Sequence, residues 1–139
     1  RRVITPEPRY TEEERDIVYA SLAYMGKILA EERINVIIDA TANRRRYRDL
    51  ARRLIPNFAE VFIRAPLEVC MDREEKRDAA FSPKGIYRRA GRRDATIPGV
   101  DVPYEEPISP EIWVDAARSS PLESSSHIAD RIIELYGAV

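Results

Sequence analysis

The residues best suited to chemistry are concentrated between positions 66 and 107. Eight cationic side chains lie between Arg73 and Arg93, namely Arg73, Lys76, Arg77, Lys84, Arg88, Arg89, Arg92 and Arg93. Hardly any apolar periodicity runs among them on which a core could be built. They surround Ser82-Pro83-Lys84-Gly85-Ile86-Tyr87 and precede Pro103-Tyr104-Glu105-Glu106-Pro107. Cations at that density suit gripping a small anion and neutralising charge that spreads over it during group transfer. Connections longer than about 12–15 residues in a compact domain are usually lids, binding loops or disordered linkers. A lid over residues 73–108 is the expectation, because Phe81, Tyr87, Pro98 and Tyr104 can pin such a loop against a body.

The charge balance narrows the partner. The chain carries 23 Lys and Arg against 24 Asp and Glu, for a net charge of −1. Charge is segregated locally, with Arg44-Arg45-Arg46 and Arg52-Arg53 set against Glu12-Glu13-Glu14 and Glu105-Glu106. Such a pattern points to a small anionic ligand rather than a polyanion surface, and the basic lid carries no groove-reading motif for nucleic acid. Cys70 is the only cysteine, so neither an intrachain disulfide nor a thiolate metal site is available. Reducing, cytoplasmic conditions are the expectation. No apolar run reaches the roughly 20 residues needed to span a bilayer, and the N-terminal residues lack a signal core and cleavage site, so no membrane partner is expected.

The elements that must position these residues read as one domain over residues 1–139. Thr11 followed by Glu14 is a capping box, and Ile17, Val18, Leu22, Met25, Ile28 and Leu29 recur at helical spacing to about Glu32. Residues 34–41 form a β-branched run suited to a central parallel strand covered on both faces, ending at Asp39 and Thr41. Asn43 is placed to cap a second helix running to about Leu54, stopped by Pro56. Val61-Phe62-Ile63 reads as a strand, Pro66 starts a helix that dissolves after Met71, and residues 85–90 hold a brief helix. Ile112-Trp113-Val114-Asp115 reads as a further strand, and Ser120-Pro121 with Glu123 opens a last helix through Leu135. His127 on that helix reads as structural.

Strands alternating with helices predict an α/β fold, a three-layer parallel sheet with right-handed crossovers. Ligands of such sheets bind beyond the carboxyl ends of the strands. Asp39-Ala40-Thr41, Arg64-Ala65 and Asp115-Ala116 fall at three such ends, with the lid emerging beside them.

The order of these features resembles the adenylylsulfate kinase family. Pro66-Leu67-Glu68-Val69-Cys70 matches the family's P-L-E-V-C, Pro83-Lys84-Gly85-Ile86-Tyr87 matches D-P-K-G-L-Y, and residues 98–107 match F-T-G-I-D-x-P-Y-E-x-P. Tyr10-Thr11 through Arg15 parallels G-F-S-x-x-x-R. The resemblance implies a P-loop kinase fold and ATP-dependent phosphorylation, with Mg²⁺, of the 3′-hydroxyl of adenosine 5′-phosphosulfate. A homodimer is expected on the same ground. The resemblance further implies that Arg15 and Lys84 bind the substrate anion and that Tyr10 stacks on its adenine. Ile97, Gly99 and Val100 would close the lid side of that sandwich, with Thr41 at the strand end. Arg88 and Arg92 would neutralise charge on the transferred phosphoryl group. Asp39 would act as a base or hold Mg²⁺, and Asp115 and Ala116 would lie by the ATP adenine. Plainer readings stand beside these: Arg15 in a surface ion pair, Asp39 and Asp115 as strand caps, Tyr10 as a packing anchor and the lid cations as a solvated face.

Two kinds of departure bear on function. A family asparagine three residues after the helix arginine is Val18, and the family's I-S-P is Thr41-Ala42-Asn43, so two polar contacts are missing. The Asp39-Ala40-Thr41 ending looks more like other small P-loop kinases acting on nucleotide, polynucleotide or sugar hydroxyls. No G-x-x-x-x-G-K-[ST] occurs, since Gly26-Lys27-Ile28 lies within the first helix without the upstream glycine. The N-terminal strand and P-loop of the fold are thus expected to be missing from these residues. The 139 residues alone are expected not to turn over ATP, or to be a non-catalytic anion-binding remnant.

Overall fold

The computed structural model describes residues 3–7, 9–78, 85–92 and 95–137. Helix α1 (Glu12–Glu31) starts where the capping pair places it. The Thr11 hydroxyl accepts the Glu14 N–H at 3.2 Å, and the Glu14 carboxylate accepts the N–H groups of Arg9, at 2.7 Å, and Tyr10. The return bonds therefore land just ahead of the cap residue.

α1 packs on α2 (Arg45–Leu54), burying Val18, Ala23 and Gly26 on one side and Tyr47 and Ala51 on the other. The Tyr19 and Tyr47 rings stack at 4.3 Å across this contact. Gly26 is what permits the close approach, since a Cβ there would meet the Cδ1 atoms of Ile38 and Ile55 at 3.1 Å each. Ile17, Met25, Ile28 and Leu29, expected to face inward, are instead about half exposed. The buried seam follows the small residues, where helices can approach most closely.

Strands β1 (Val61–Arg64) and β2 (Ile112–Asp115) pair in parallel, with Val61 opposite Ile112 and Arg64 opposite Asp115. Ile112 and Val114 are the buried residues of β2. This parallel pair with its helices is of the α/β class that the alternation predicted, and it fits a P-loop kinase fold. Residues 34–41 correct one expectation, because they run without strand pairing and Ile37 is 95% exposed. β-branched residues favour extension, but a strand needs a neighbour to exchange backbone hydrogen bonds with. None of the described residues provides that neighbour. Ile38 is brought in against Gly26.

Helix α3 (Leu67–Lys76) outlasts its expected end by a turn, helped by the Asp72–Lys76 pair at 2.6 Å. A 3-10 turn, Tyr87–Arg89, stands where a brief helix was expected. Helix α4 (Pro121–Tyr136) carries the predicted capping box, Ser120 with Glu123, and Tyr136 ties its end to the Phe58 carbonyl at 2.7 Å. Among the described residues no helix is long and apolar enough to cross a membrane.

Candidate functional site

The segment expected to form a lid is bonded differently along its described residues. Its return limb, residues 103–106, is bound to the start of α2. The Asn43 side-chain amide donates to the Pro103 carbonyl at 3.1 Å, and the Glu105 N–H donates to the Asn43 carbonyl at 2.8 Å. The Glu105 carboxylate accepts the Arg45 N–H at 2.8 Å and pairs with Arg44 at 3.1 Å. Arg48 donates to the carbonyls of Glu105 and Ala42, and its guanidinium lies 5.4 Å from the Tyr104 ring centroid. The Arg45 N–H first, and Arg44 after it, hold the Glu105 carboxyl below its ordinary value of 4.5. Asn43, expected to cap α2, is therefore corrected: Arg44 is the cap residue, makes no side-chain cap bond, and the first-turn amide of Arg45 is met by Glu105 instead.

Below this limb lies an ion network. Arg48 pairs with Glu60 at 2.5 Å, Arg52 reaches Glu60 at 3.1 Å, and Arg52 also pairs with Glu111. Glu111 additionally accepts the Glu60 N–H at 2.7 Å. Burial raises the Glu111 pKa, but Arg52 and that N–H outweigh it and leave the carboxyl below its ordinary value. This network missed notice in the sequence. The complementary blocks Arg44-Arg45-Arg46 and Glu105-Glu106 signal the contact of the return limb with α2, whereas the lone acids Glu60 and Glu111 carry no such signal.

The tip of the expected lid is braced internally. The Asp101 carboxylate accepts the N–H of Gly91 at 2.8 Å and of Ile97 at 3.0 Å. Gly99, at φ +83°, donates to the Val102 carbonyl at 2.8 Å, and the Ile97 carbonyl gathers the N–H groups of Val100, Asp101 and Val102. Asp101 thus shapes the loop that presents Ile97, Gly99 and Val100.

Arg15 joins this tip to α1. Its side chain is buried, with Nε donating to the Tyr10 carbonyl at 3.2 Å and Nη2 to the Thr96 carbonyl at 3.1 Å. Tyr10, half exposed and at φ +59°, is brought beside the start of the 97–100 segment. Arg15 makes no surface ion pair with Glu12 or Asp16, which instead hold Arg44 and Arg46. Three of the expected substrate-binding residues, Tyr10, Arg15 and Ile97, are therefore gathered in one place.

The remaining candidates are more dispersed. Asp39 and Thr41 are exposed at the end of the unpaired 34–41 run. The Asp115 carboxylate accepts the Ala117 N–H at 3.0 Å and lies 3.4 Å from Arg118, a turn-capping geometry, while the Ala116 carbonyl accepts from Arg73 at 2.6 Å. Arg88 and Arg92 are exposed, and among the described residues Arg88 pairs with Glu75 at 3.7 Å. Lys84 lies outside the described residues. One cavity of about 390 Å³ is lined by Thr5, Pro6, Arg9, Thr11 and Glu14, and another of about 330 Å³ includes Arg45, Arg52, Pro107 and Glu111. Neither is lined by Ile97, Gly99 or Val100, and among the described residues Arg88 and Arg92 line neither cavity.

Comparison with known proteins supplies what the geometry alone leaves open. The family model described as adenylylsulphate kinase matches residues 1–115. The chain is 32% identical over 136 residues to the “Probable adenylyl-sulfate kinase” of Pyrococcus abyssi, covering 97% of this chain and 74% of that protein. It is 31% identical over 127 residues to the adenylyl-sulfate kinase of Microcystis aeruginosa, covering 91% and 66%. It is 31% identical over 136 residues to the adenylyl-sulfate kinase of Halothermothrix orenii, covering 96% and 69%. The chain thus spans about two thirds to three quarters of the length of these relatives. On the extent of the family match, this chain belongs to the adenylylsulphate kinase family.

Proposed function

We propose that this chain carries the substrate-binding part of an adenylylsulfate kinase, a phosphotransferase moving the ATP γ-phosphoryl group to the 3′-hydroxyl of adenosine 5′-phosphosulfate. The observation that carries the reading is the family match over residues 1–115. The junction of Tyr10, Arg15 and Thr96 supports it, because a buried guanidinium held by two neutral carbonyls keeps its positive charge for an anion. Phosphoryl transfer is catalysed chiefly by positioning and by cations around the spreading charge. In that scheme Arg15 and Lys84 hold the substrate anion, while Tyr10 and the segment Ile97, Gly99 and Val100 enclose its adenine. Arg88 and Arg92 come to the transferred group when the lid closes. Asp39 accepts the proton that the attacking hydroxyl loses, with Thr41 beside the substrate and Asp115 and Ala116 by the ATP adenine.

Mg²⁺ is expected to accompany ATP and to neutralise its phosphates. Among the described residues no group of three His, Cys, Asp or Glu could hold a metal. We further infer that the 139 residues alone bind the nucleotide substrate without turning over ATP, since no phosphate-cradling G-x-x-x-x-G-K-[ST] lies in them. Cytoplasmic residence and a homodimer belong to the same reading.

Val18 and Ala42, both buried and apolar where the family pattern is polar, favour a second reading, a related P-loop kinase with another hydroxyl acceptor. Calorimetric titration separates the two. Binding of adenosine 5′-phosphosulfate, weakened about 10- to 100-fold by Arg15→Ala and by Lys84→Ala, is expected from loss of a charged hydrogen-bond partner. No binding by the parent chain would overturn the adenylylsulfate assignment.

A further inference from the structure

We propose that Asn43 and Glu105 form a reciprocal latch that fixes the return limb of the lid to the start of α2, making Asn43 a positioning residue for the substrate-facing tip. Each partner satisfies a backbone group of the other's segment. Asn43 gives its side-chain amide to the Pro103 carbonyl and its own carbonyl to the Glu105 N–H. Glu105 gives its carboxylate to the Arg45 N–H, a first-turn amide of a helix whose own cap residue supplies no side-chain bond. Docking the lid and capping α2 are therefore one event.

A second observation singles out Asn43. The residue is 3% exposed, and its Oδ1 is buried and meets no donor among the described residues. The bond to Pro103 is the one hydrogen bond described for the Asn43 side chain. The backbone just before it is held in an unusual conformation, with Ala42 at φ +39° tied to the Tyr19 hydroxyl through its N–H at 3.0 Å. The latch thus fixes Pro103 to a braced loop. From Pro103 the position passes directly to Val102, which closes the tip by bonds to Ile97 and Gly99.

What the tip contacts rests on the proposed function, but the latch does not, and residue-resolved amide exchange on the 139-residue chain separates the two. In Asn43→Ala and in the near-isosteric Asn43→Asp, the amides of Glu105 and Arg45 are expected to exchange about ten-fold faster, while those of Ala51 and Ile112 keep their protection. Affinity for adenosine 5′-phosphosulfate is expected to fall about ten-fold in the same variants. Unchanged exchange at Glu105 and Arg45, or a rise shared equally by Ile112, would overturn the latch whatever the ligand does. Faster exchange with undiminished nucleotide affinity would overturn the positioning role. Faster exchange in a chain whose parent does not bind the nucleotide supports the latch and removes the adenylylsulfate assignment instead.

Discussion

The return limb of the expected lid and the described stretch that carries Arg88, Arg89 and Arg92 are built on opposite principles. Residues 103–106 meet α2 through matched donors and acceptors, with Arg44, Arg45 and Arg48 all engaged by Glu105 or its backbone. Arg88, Arg89 and Arg92 are exposed, and the one described ion pair among them is the long contact of Arg88 with Glu75. Arginines of one sequence thus divide into a bonded set that builds the frame and a solvated set that remains available. Cations already paired with carboxylates have little left to offer a ligand anion. The solvated set retains its charge at low reorganisation cost, which is what a surface closing on a phosphate requires.

Removing Glu60 should break the frame most severely. Its carboxylate is the shared partner of Arg48 and Arg52, and the side chains of Arg48 and Glu60 are only 10% and 12% exposed. Glu60→Ala would strand the Arg48 guanidinium without its acid, and loss of one member of a buried pair costs about 3 kcal/mol or more. Chemical denaturation should show that loss, with Glu60→Gln recovering part of it. A change below about 0.5 kcal/mol, the range of exposed pairs, would erase the distinction between the two sets of arginines.

The same division explains what was legible beforehand. Local signals read correctly: Thr11 with Glu14 and Ser120 with Glu123 act within one helical turn, and the β-branched runs at β1 and β2 found each other as parallel neighbours. Residues 34–41 carry an equally strong apolar signal, yet pairing requires a partner strand that residue pattern cannot guarantee. Asn43 was misread for a related reason. Its type and position suit a helix cap, but Glu105, 62 residues on by the numbering, takes the Arg45 amide and turns Asn43 toward Pro103. Within the site, Arg15 and Tyr10 were singled out from a short motif, whereas their link to Thr96 lies 81 residues away in sequence. Capping within a turn and the strand runs were legible, whereas side-chain partners far apart in sequence were not.

Acid should release the bonded limb before it disturbs the free cations. The Glu105 carboxyl is held below its ordinary value of 4.5, chiefly by the Arg45 N–H and then by Arg44. A depressed folded-state pKa contributes stability that is fully present above the unfolded value and is lost as pH falls through the folded one. The groups facing this carboxyl are Arg44 and Arg45 of the α2 start, with Glu12 of α1 sharing Arg44 and Glu106 adjacent in the chain. The Arg45 amide resonance should therefore titrate with a midpoint below 4.5, and Glu105→Gln should abolish that transition. A midpoint at or above the ordinary value would mean that the limb is not held by this carboxylate.

The smallest effect on stability is expected at Arg88, where the comparison is sharpest. Its side chain is 80% exposed and the Glu75 carboxylate 3.7 Å away is 75% exposed, so solvent screens whatever attraction they share. Arg88→Ala should leave the melting temperature within about 1 °C of the parent, because exposed pairs contribute a few tenths of a kcal/mol at most. If the solvated arginines close on bound nucleotide, the same variant should weaken adenosine 5′-phosphosulfate binding several-fold at low salt and much less at high salt, where screening shortens the reach of a surface charge. Equal affinity of parent and variant at both salt concentrations would leave Arg88 as surface charge only. The availability of this cation would then have no bearing on the ligand, and the free set would reduce to those of its members that still affect binding.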